Sequence, residues 1–252
     1  MMGLMIGRKT LQVQRKKGRR VFAEVPLAAT FHAWYTRLMA SQPHVFLTAE
    51  EYLDLEEKAA YKSEYMDGEL YAMAGASPDH DTIAHNIGGI LYGELKGTPC
   101  KAHTSDMRVA ASTANAFMYP DISICCKDAR YLRRGVANLL NPVVIIEVLS
   151  PSTEAYDRRK KFGKYKAISS LQEFVLVSQD EVLVERYAWQ PNAESGGGLR
   201  LDGGGEWLYT SLDSLDDSLT LTAVPATLHL RDIYDRVFPP TEEAGSNLGS
   251  DA

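Results

Sequence analysis

The stretch NPVVIIEVLSPSTEAYDRRKKF, residues 141–162, contains the strand and the helix around which the fold can be assembled. The unbroken apolar run at 143–146 predicts a strand that is buried on both faces of a covered sheet. Glu147 interrupts this run before Val148 and Leu149 resume it. Because burying an ionised carboxylate without a partner costs several kcal/mol, Glu147 must be balanced by a cation, whether for structure or for function.

A second carboxylate lies in a similar setting. Asp121 stands in YPDISIC, a strand of otherwise apolar character that precedes Glu147. Two carboxylates on neighbouring strands repel each other unless a cation or a proton lies between them. Mg²⁺ suits such a pair because it binds one or two carboxylates and leaves its other positions to water and phosphate oxygens. Asp121 and Glu147 are therefore predicted to bind Mg²⁺, or alternatively Mn²⁺, which would activate water and neutralise charge on a phosphodiester.

The helix after the strand offers a third group. About 10 Å of chain separate Glu147 from the end of its strand, at about 3.3 Å per residue. If the helix turns back over the sheet, Lys161 returns by about 12 Å, at about 1.5 Å per residue, and reaches the level of Glu147. Its ammonium would there orient an attacking water or stabilise charge on the phosphate. Asp157 stands four residues before Lys161, so an ordinary ion pair along one helix face is the alternative.

The remaining segments predict further helices and strands. Thr48 and Glu51 have the spacing of a capping box, Asp67-Gly68 favours a tight hairpin, and Ser77 is a plausible cap for a second helix. The other predicted elements, in chain order, are the strands KAHTSDMRVAA, FMYPDISICC, QEFVLVS, EVLVERYAW and EWLYTSL and the amphipathic segment LHLRDIYDRVF. This order predicts an α/β or mixed α+β fold in which a mixed sheet is flanked by helices.

The charge distribution separates the first 38 residues from the rest. The chain has a net charge of −6, but residues 1–38 contain eight Lys/Arg and one acid, which leaves −13 for the remainder. We interpret residues 1–38 as a basic extension outside the folded domain, with Met39 as an alternative start of translation. A nucleic-acid arm or a targeting segment is the other interpretation. The domain is predicted over residues 39–238 and a disordered tail over 239–252.

The cysteines and the hydropathy indicate the compartment. Cys100, Cys125 and Cys126 are odd in number and form no C-x-x-C pair, so we expect all three to be reduced thiols in a cytoplasmic protein. No apolar run approaches the roughly 20 residues that a membrane-spanning helix needs. We therefore expect no membrane interaction.

Taken together, these motifs resemble the Uma-type restriction endonuclease family of the PD-(D/E)XK nuclease superfamily. The resemblance extends over approximately residues 45–190. The segments that carry it are YPDISIC, VVIIEVLSPST with the following D, K and Y, EYMDGELYAMAGASPDH, SDMRV and QEFVLVS. It implies a restriction-endonuclease-like core, a divalent metal ion, and hydrolysis of phosphodiester bonds in DNA. A homodimer is expected as well, since many such nucleases cut both strands of a duplex.

The resemblance also assigns roles to residues. It implies that Asp121 is the aspartate of the "PD" pair and Glu147 the second acid. The superfamily pattern has lysine two residues after the second acid, where this sequence has Leu149. The family commonly has its lysine on the next helix, which matches Lys161. Glu64 matches an acid in the leading element of the superfamily and is the candidate for an outer or second-metal ligand.

Two other classes of function stay open on the sequence. The first is a catalytically silent module that kept the nuclease fold and binds DNA or a protein partner. The absent in-strand lysine and the acidic body favour it. The second is a hydrolase that uses the same carboxylates for acid–base chemistry without nuclease activity, and only the acids themselves support it.

Individual residues also have alternative interpretations. Glu64 and Asp106 are explained equally well as acids that accept a hydrogen bond at a hairpin or strand end. His80 and His85 are more typical of helix-surface or capping residues than of ligands. The basic residues of the helix, 158–166, form either a solvated face or a surface that contacts DNA phosphates without reading sequence.

Overall fold

A computed structural model describes residues 46–73, 75–134, 136–192 and 204–238. The predicted extension at 1–38 and the predicted tail at 239–252 lie outside these residues, and both stay predictions. The helices are α1 (Ala49–Glu56), α2 (Pro78–Glu94), α3 (residues 154–165) and α4 (Leu230–Ile233). None of the helices in this part of the chain is long and apolar enough to span a membrane.

Fourteen strands are described, in two six-stranded sheets and one hairpin. In chain order they are β1 (Ser63–Met66), β2 (Glu69–Ala72), β3 (Lys101–Thr104), β4 (Arg108–Ala111), β5 (Ala116–Met118), β6 (Ile122–Cys125), β7 (Tyr131–Arg134), β8 (Val136–Leu139), β9 (Val144–Leu149), β10 (Glu173–Ser178), β11 (Val184–Pro191), β12 (Gly205–Leu212), β13 (Ser218–Leu221) and β14 (Ala226–His229).

Both large sheets are mixed. The first has the order β2-β1-β5-β4-β8-β7, and the second has the order β12-β11-β10-β9-β6-β3. Each contains one parallel pair, β4 with β8 in the first and β9 with β10 in the second, while the other pairs are antiparallel. The predicted mixed α+β class is confirmed, but the strands are divided over two sheets instead of one.

The strand β9 is buried on both faces, as its apolar run predicts. Val144, Ile146 and Val148 pack into the core on the side of α2. Ile145 and Leu149 point to the opposite core, which α3 covers. Because side chains alternate along a strand, Glu147 points to the α3 side and is carried into that apolar layer.

Two of the predicted strands are each divided between the sheets. KAHTSDMRVAA forms β3 in the second sheet and β4 in the first, and FMYPDISICC forms β5 in the first and β6 in the second. The interpretation of each segment as one strand was therefore wrong. The second break falls at Tyr119 and Pro120, where proline cannot donate a ladder hydrogen bond. Asp121 consequently lies where the chain passes from one sheet to the other.

The local predictions for the first turn of α1 and for the first hairpin are confirmed. Thr48 and Glu51 cap α1 reciprocally. Asp67 and Gly68, with φ of 52° and 99°, join β1 to β2, as a tight hairpin turn requires. The helix α3 differs from the prediction, since residues Asp157–Lys161 form a π-helical turn between two short α-helical pieces.

The cysteine prediction was wrong in part. Cys100 and Cys126 form a disulfide with their Cα atoms 3.8 Å apart, and Cys125 is a buried free thiol. The register of β3 against β6 pairs Lys101 with Cys125, so the residues one position further out, Cys100 and Cys126, face each other. This proximity arises from a long-range register that spacing along the sequence does not encode.

Candidate metal-binding and catalytic site

The candidate site lies where three elements meet on the α3 side of the second sheet. Glu64 comes from β1, Glu147 from β9, and both Asp157 and Lys161 from the π-helical turn of α3. We call these four residues the carboxylate–lysine cluster. The exposed fraction of each is 6% or less, so the cluster is a buried ionic group within an apolar core.

Lys161 lies at the centre of the cluster. Its Nζ is 3.1 Å from Oε1 of Glu64, 3.1 Å from Oε1 of Glu147 and 3.3 Å from Oδ1 of Asp157. The prediction that α3 turns back and brings Lys161 to the level of Glu147 is therefore confirmed. The alternative ion pair with Asp157 is formed as well, so the two interpretations describe parts of the same arrangement.

Three tyrosines complete the hydrogen bonds of the acids. Tyr165 donates its hydroxyl to Oε1 of Glu147 at 2.9 Å. Tyr156 donates to Oε2 of Glu64 at 2.9 Å, and the backbone N–H of Tyr119 donates to Oε1 of Glu64 at 2.8 Å. Both oxygens of Glu64 thus have protein donors, and its contact with Lys161 makes it a residue that holds the lysine. Its role as a second-metal ligand stays a prediction.

Asp121 lies beside the cluster at the end of the β6–β9 ladder. That ladder begins with Ile122 paired to Ile146, which leaves the N–H of Val148 beyond its end. Oδ2 of Asp121 accepts this N–H at 2.8 Å. The same oxygen is 3.3 Å from Nε2 of His80 on α2. Asp121 is thereby fixed next to Glu147, and its side chain stays 17% exposed.

The electrostatics of the cluster are dominated by burial and by surplus negative charge. Burial raises the pKa of Glu147 well above the usual range of a carboxyl, although Lys161 acts in the opposite direction. Burial also raises the pKa of Asp157. For Lys161 burial lowers the pKa, but the surrounding carboxylates outweigh it, so the lysine remains protonated with a pKa well above its usual range. A single ammonium therefore faces more carboxylate charge than it can balance.

This surplus charge bears on whether a divalent metal fits. Carboxylate oxygens are the donors that Mg²⁺ prefers, and one or two of them suffice when water and phosphate supply the rest. In the described part of the chain no three His, Cys, Asp or Glu side chains form a ready ligand set. The donor chemistry therefore fits a metal held by two carboxylates, Asp121 and Glu147, and completed by other oxygens.

The structure separates the predicted residues into two groups. It brings Glu64, Glu147 and Lys161 together and places Asp121 beside them, close enough for its charge to raise the pKa of Glu147. Asp106, by contrast, is an exposed acid that pairs with Lys62. The catalytic and metal-binding roles of the first group stay predictions.

The neighbours of the candidate residues differ in what they contact. His85 is exposed on α2, whereas His80 reaches Asp121. Lys160 points away from the cluster and donates to the hydroxyl of Tyr71. Lys164 pairs with Asp67.

Sequence reasoning missed the hydrogen bonds that Tyr156 and Tyr165 donate to the acids. Tyr165 stands four residues after Lys161, so the shared helix face was a usable signal. For Tyr156 no comparable signal exists, because its partner Glu64 lies on a strand remote in sequence.

Comparison with known protein families identifies the family of the chain. Residues 49–228 match the family model Uma2, whose description is "Putative restriction endonuclease". The chain therefore belongs to the Uma2 family, which confirms the resemblance drawn from its motifs.

Two relatives and one solved structure extend the comparison. Two uncharacterized proteins of Synechocystis sp. are similar to this chain. The protein slr1290 is 38% identical over 147 residues, which cover 58% of this chain and 76% of the relative. The protein sll1609 is 36% identical over 141 residues, which cover 56% of this chain and 80% of the relative. A "putative nuclease" from Anabaena variabilis shares the fold with a TM-score of 0.59 at 20% identity, over 76% of this chain and 99% of that one.

Proposed function

We propose that this chain is a metal-dependent DNA endonuclease. The observation that carries the proposal is the convergence of Asp121, which directly precedes β6, and Glu147 of the adjacent β9 with the ammonium of Lys161, 3.1 Å from Glu147. Membership of the Uma2 family supports the choice of a phosphodiester as the substrate. In this proposal Asp121 and Glu147 hold Mg²⁺ or Mn²⁺, and when bound, the metal activates water and neutralises charge on the phosphate.

The residues of the chain contribute position and charge to this reaction. Asp121 and Glu147 each have one oxygen held by protein donors, His80 and the Val148 N–H for Asp121 and Lys161 and Tyr165 for Glu147. Preorganised groups of this kind lower a barrier because they need no reorganisation during the reaction.

Lys161 has a more constrained part. An ammonium has three N–H donors, and in this structure three carboxylates lie within 3.3 Å of it. It can donate to a water or a phosphate oxygen only by giving up one of these contacts. The contact with Asp157 is the longest of the three, so we propose that this one is exchanged when substrate enters.

DNA binding is assigned to the outer surface of α3 and the residues after it. Arg159, Lys160 and Lys166 are exposed there, whereas Lys161 is buried. Basic side chains contact phosphates without reading sequence, so this surface would hold the backbone of a duplex and leave its target undefined.

The saturation of Lys161 also favours a second candidate function. A lysine that already neutralises the acids of a former metal site is what a catalytically silent module would retain. Such a protein would keep the fold and bind DNA or a protein partner without cleaving DNA.

Plasmid cleavage distinguishes the two candidates. The full chain is incubated with supercoiled plasmid and Mg²⁺ or Mn²⁺, and the endonuclease is expected to give nicked and linear products that EDTA suppresses. The double variant Asp121→Asn/Glu147→Gln should give none. The matched control is Asp106→Asn/Asp216→Asn, which removes two exposed acids and should cleave like the wild type.

The opposite result is equally informative. If the folded wild type gives no product with either cation, while fluorescence anisotropy still shows binding of a labelled duplex, the silent module replaces the endonuclease. Cleavage that persists in the double variant would contradict the assignment of the two acids.

A further inference from the structure

His80 is placed on Asp121 by the first turn of α2. Ser77 caps this helix by accepting the N–H of His80 at 3.1 Å, and its hydroxyl donates to Oε1 of Gln179 at 2.8 Å. Gln179 follows directly after β10. The cap thus fastens the start of α2 to the end of the central parallel strands, and the imidazole of His80 reaches across to Asp121.

The hydrogen bonds of Asp121 fall unevenly on its two oxygens. Oδ2 receives the Val148 N–H at 2.8 Å and lies 3.3 Å from Nε2 of His80. Oδ1 receives no hydrogen bond from the described residues. Glu147 shows the same asymmetry, since Lys161 and Tyr165 both donate to its Oε1. Each acid therefore has one oxygen engaged twice by the protein.

We propose that His80 is a positioning residue that donates its Nε2–H to Oδ2 of Asp121 and so presents Oδ1 to the divalent metal. This inference rests on the metal site of the proposed function. A carboxylate held by the Val148 N–H alone keeps freedom to turn about its Cβ–Cγ bond. A second donor on the same oxygen removes that freedom. Partners of this kind around a metal ligand are worth about 10- to 100-fold in metal affinity.

The other nitrogen of His80 supports this assignment. Nδ1 is buried and has no hydrogen-bond partner among the described residues. The polar contacts that orient the ring are therefore those with Asp121 and with the backbone of Val148. A histidine that served only to pack α2 against the sheet would not need a donor at Nε2, and this difference can be measured.

The test is Mn²⁺ binding by the full chain, measured by isothermal titration calorimetry without DNA. His80→Ala removes the donor and is expected to weaken Mn²⁺ binding by about 10- to 100-fold. His80→Gln places an amide N–H near the position of Nε2 and is expected to retain affinity to within about three-fold. His85→Ala, an exposed histidine on the same helix, is the matched control and should bind as the wild type does.

A third substitution guards against a folding artefact. His80→Asn carries its amide only as far as the position of Nδ1, so it should weaken Mn²⁺ binding as His80→Ala does, with a circular dichroism spectrum like that of the wild type. Unchanged Mn²⁺ affinity in His80→Ala or His80→Asn would overturn the proposal, as would an equal loss in His80→Gln. Absence of Mn²⁺ binding by the wild type would overturn it too. If the affinities follow the expected order but no variant or wild type cleaves DNA, the role of His80 stands and the endonuclease assignment fails.

Discussion

Nζ of Lys161 lies 3.1 Å from Oε1 of Glu147, although the two residues are 14 positions apart and belong to a π-helical turn and a central strand. The contact exists because α3 folds back over β9 and covers the face to which Glu147 points. It explains how the carboxyl group of Glu147, whose pKa is raised by burial, is tolerated in the middle of an apolar strand. It also leaves the neighbouring acids with more negative charge than one lysine can balance.

Divalent metal should stabilise the folded protein. If Asp121 and Glu147 bind Mg²⁺ or Mn²⁺ only in the folded state, a metal concentration about 100 times the Kd adds about 2.7 kcal/mol to the free energy of unfolding. For a domain of this size that corresponds to a rise in Tm of about 5–10 °C. Differential scanning fluorimetry with and without metal measures the rise.

Asp121 and Glu147 should account for the whole of the metal-induced rise in Tm. Asp121→Asn/Glu147→Gln is expected to show no metal-induced rise in Tm, while Asp106→Asn/Asp216→Asn keeps it. A full rise in the first double variant would place the metal elsewhere. Without metal, the first double variant should be at least as stable as the wild type, because it removes repulsion from a buried group whose pKa is raised.

Substitution of Lys161 should affect the reaction far more than substitution of its neighbour. Lys161→Ala is expected to lower the rate of plasmid cleavage by at least about 10²-fold, the lower end for a positioned catalytic group. Lys160→Ala removes an exposed lysine that donates to the hydroxyl of Tyr71 and should weaken DNA binding slightly. Equal rate losses in the two variants would reduce Lys161 to one phosphate contact among several.

The Lys161 variant needs a stability control. Removing one partner of a buried ion pair costs about 3–5 kcal/mol, so its rate must be measured at a temperature where circular dichroism shows both proteins folded. Mn²⁺ should recover part of the lost stability, because the metal replaces the missing positive charge. If Mn²⁺ recovers none of the lost stability, the metal binds too far from the carboxylate–lysine cluster to replace the charge of Lys161.

The disulfide between Cys100 and Cys126 should be visible as a thiol count. In protein purified without reductant and unfolded in denaturant, iodoacetamide is expected to label Cys125 alone, and after reduction all three cysteines. Intact-mass spectrometry gives the count. Cys126→Ser serves as the control, with two labelled thiols before reduction. Three labelled thiols in the unreduced wild type would restore the expectation drawn from the sequence.

Removal of the basic extension should leave the fold intact. A variant that begins at Met39 is expected to melt at essentially the temperature of the full chain, because the charge break after residue 38 marks the edge of the predicted domain. A drop of many degrees would show that residues 1–38 pack against the core. If they bind DNA instead, the variant should keep its Tm but show a flatter salt dependence of DNA binding.

The sequence predicts local features and the central strand well. The buried run of β9, the capping box at Thr48, the turn at Asp67-Gly68 and the distance from Glu147 to Lys161 all follow from periodicity, backbone preferences and the rise per residue. The grouping of Asp121, Glu147 and Lys161 could also be predicted from the sequence, because it depends on two neighbouring segments of the sheet and on the helix that follows them.

Long-range relationships account for what the sequence did not predict. Nothing local distinguishes a strand that stays in one sheet from one that crosses to another, so the breaks near Asp106 and Pro120 were not anticipated. The hairpin of β7 and β8 was missed for a similar reason, since each of its strands has only four residues. The contact of His80 with Asp121 depends on how α2 docks on the sheet, and the disulfide depends on the register of β3 against β6.

The most direct measurement is a crystal structure of the full chain soaked with Mn²⁺, with the metal located by its anomalous scattering. The central claim is that Asp121 and Glu147 together hold the divalent cation. It predicts an anomalous peak at about 2.0–2.2 Å from one oxygen of each carboxylate, with Lys161 still in contact with Glu147. A peak at other residues, or no peak in crystals whose Lys161 remains bound to Glu64, Glu147 and Asp157, would contradict the claim.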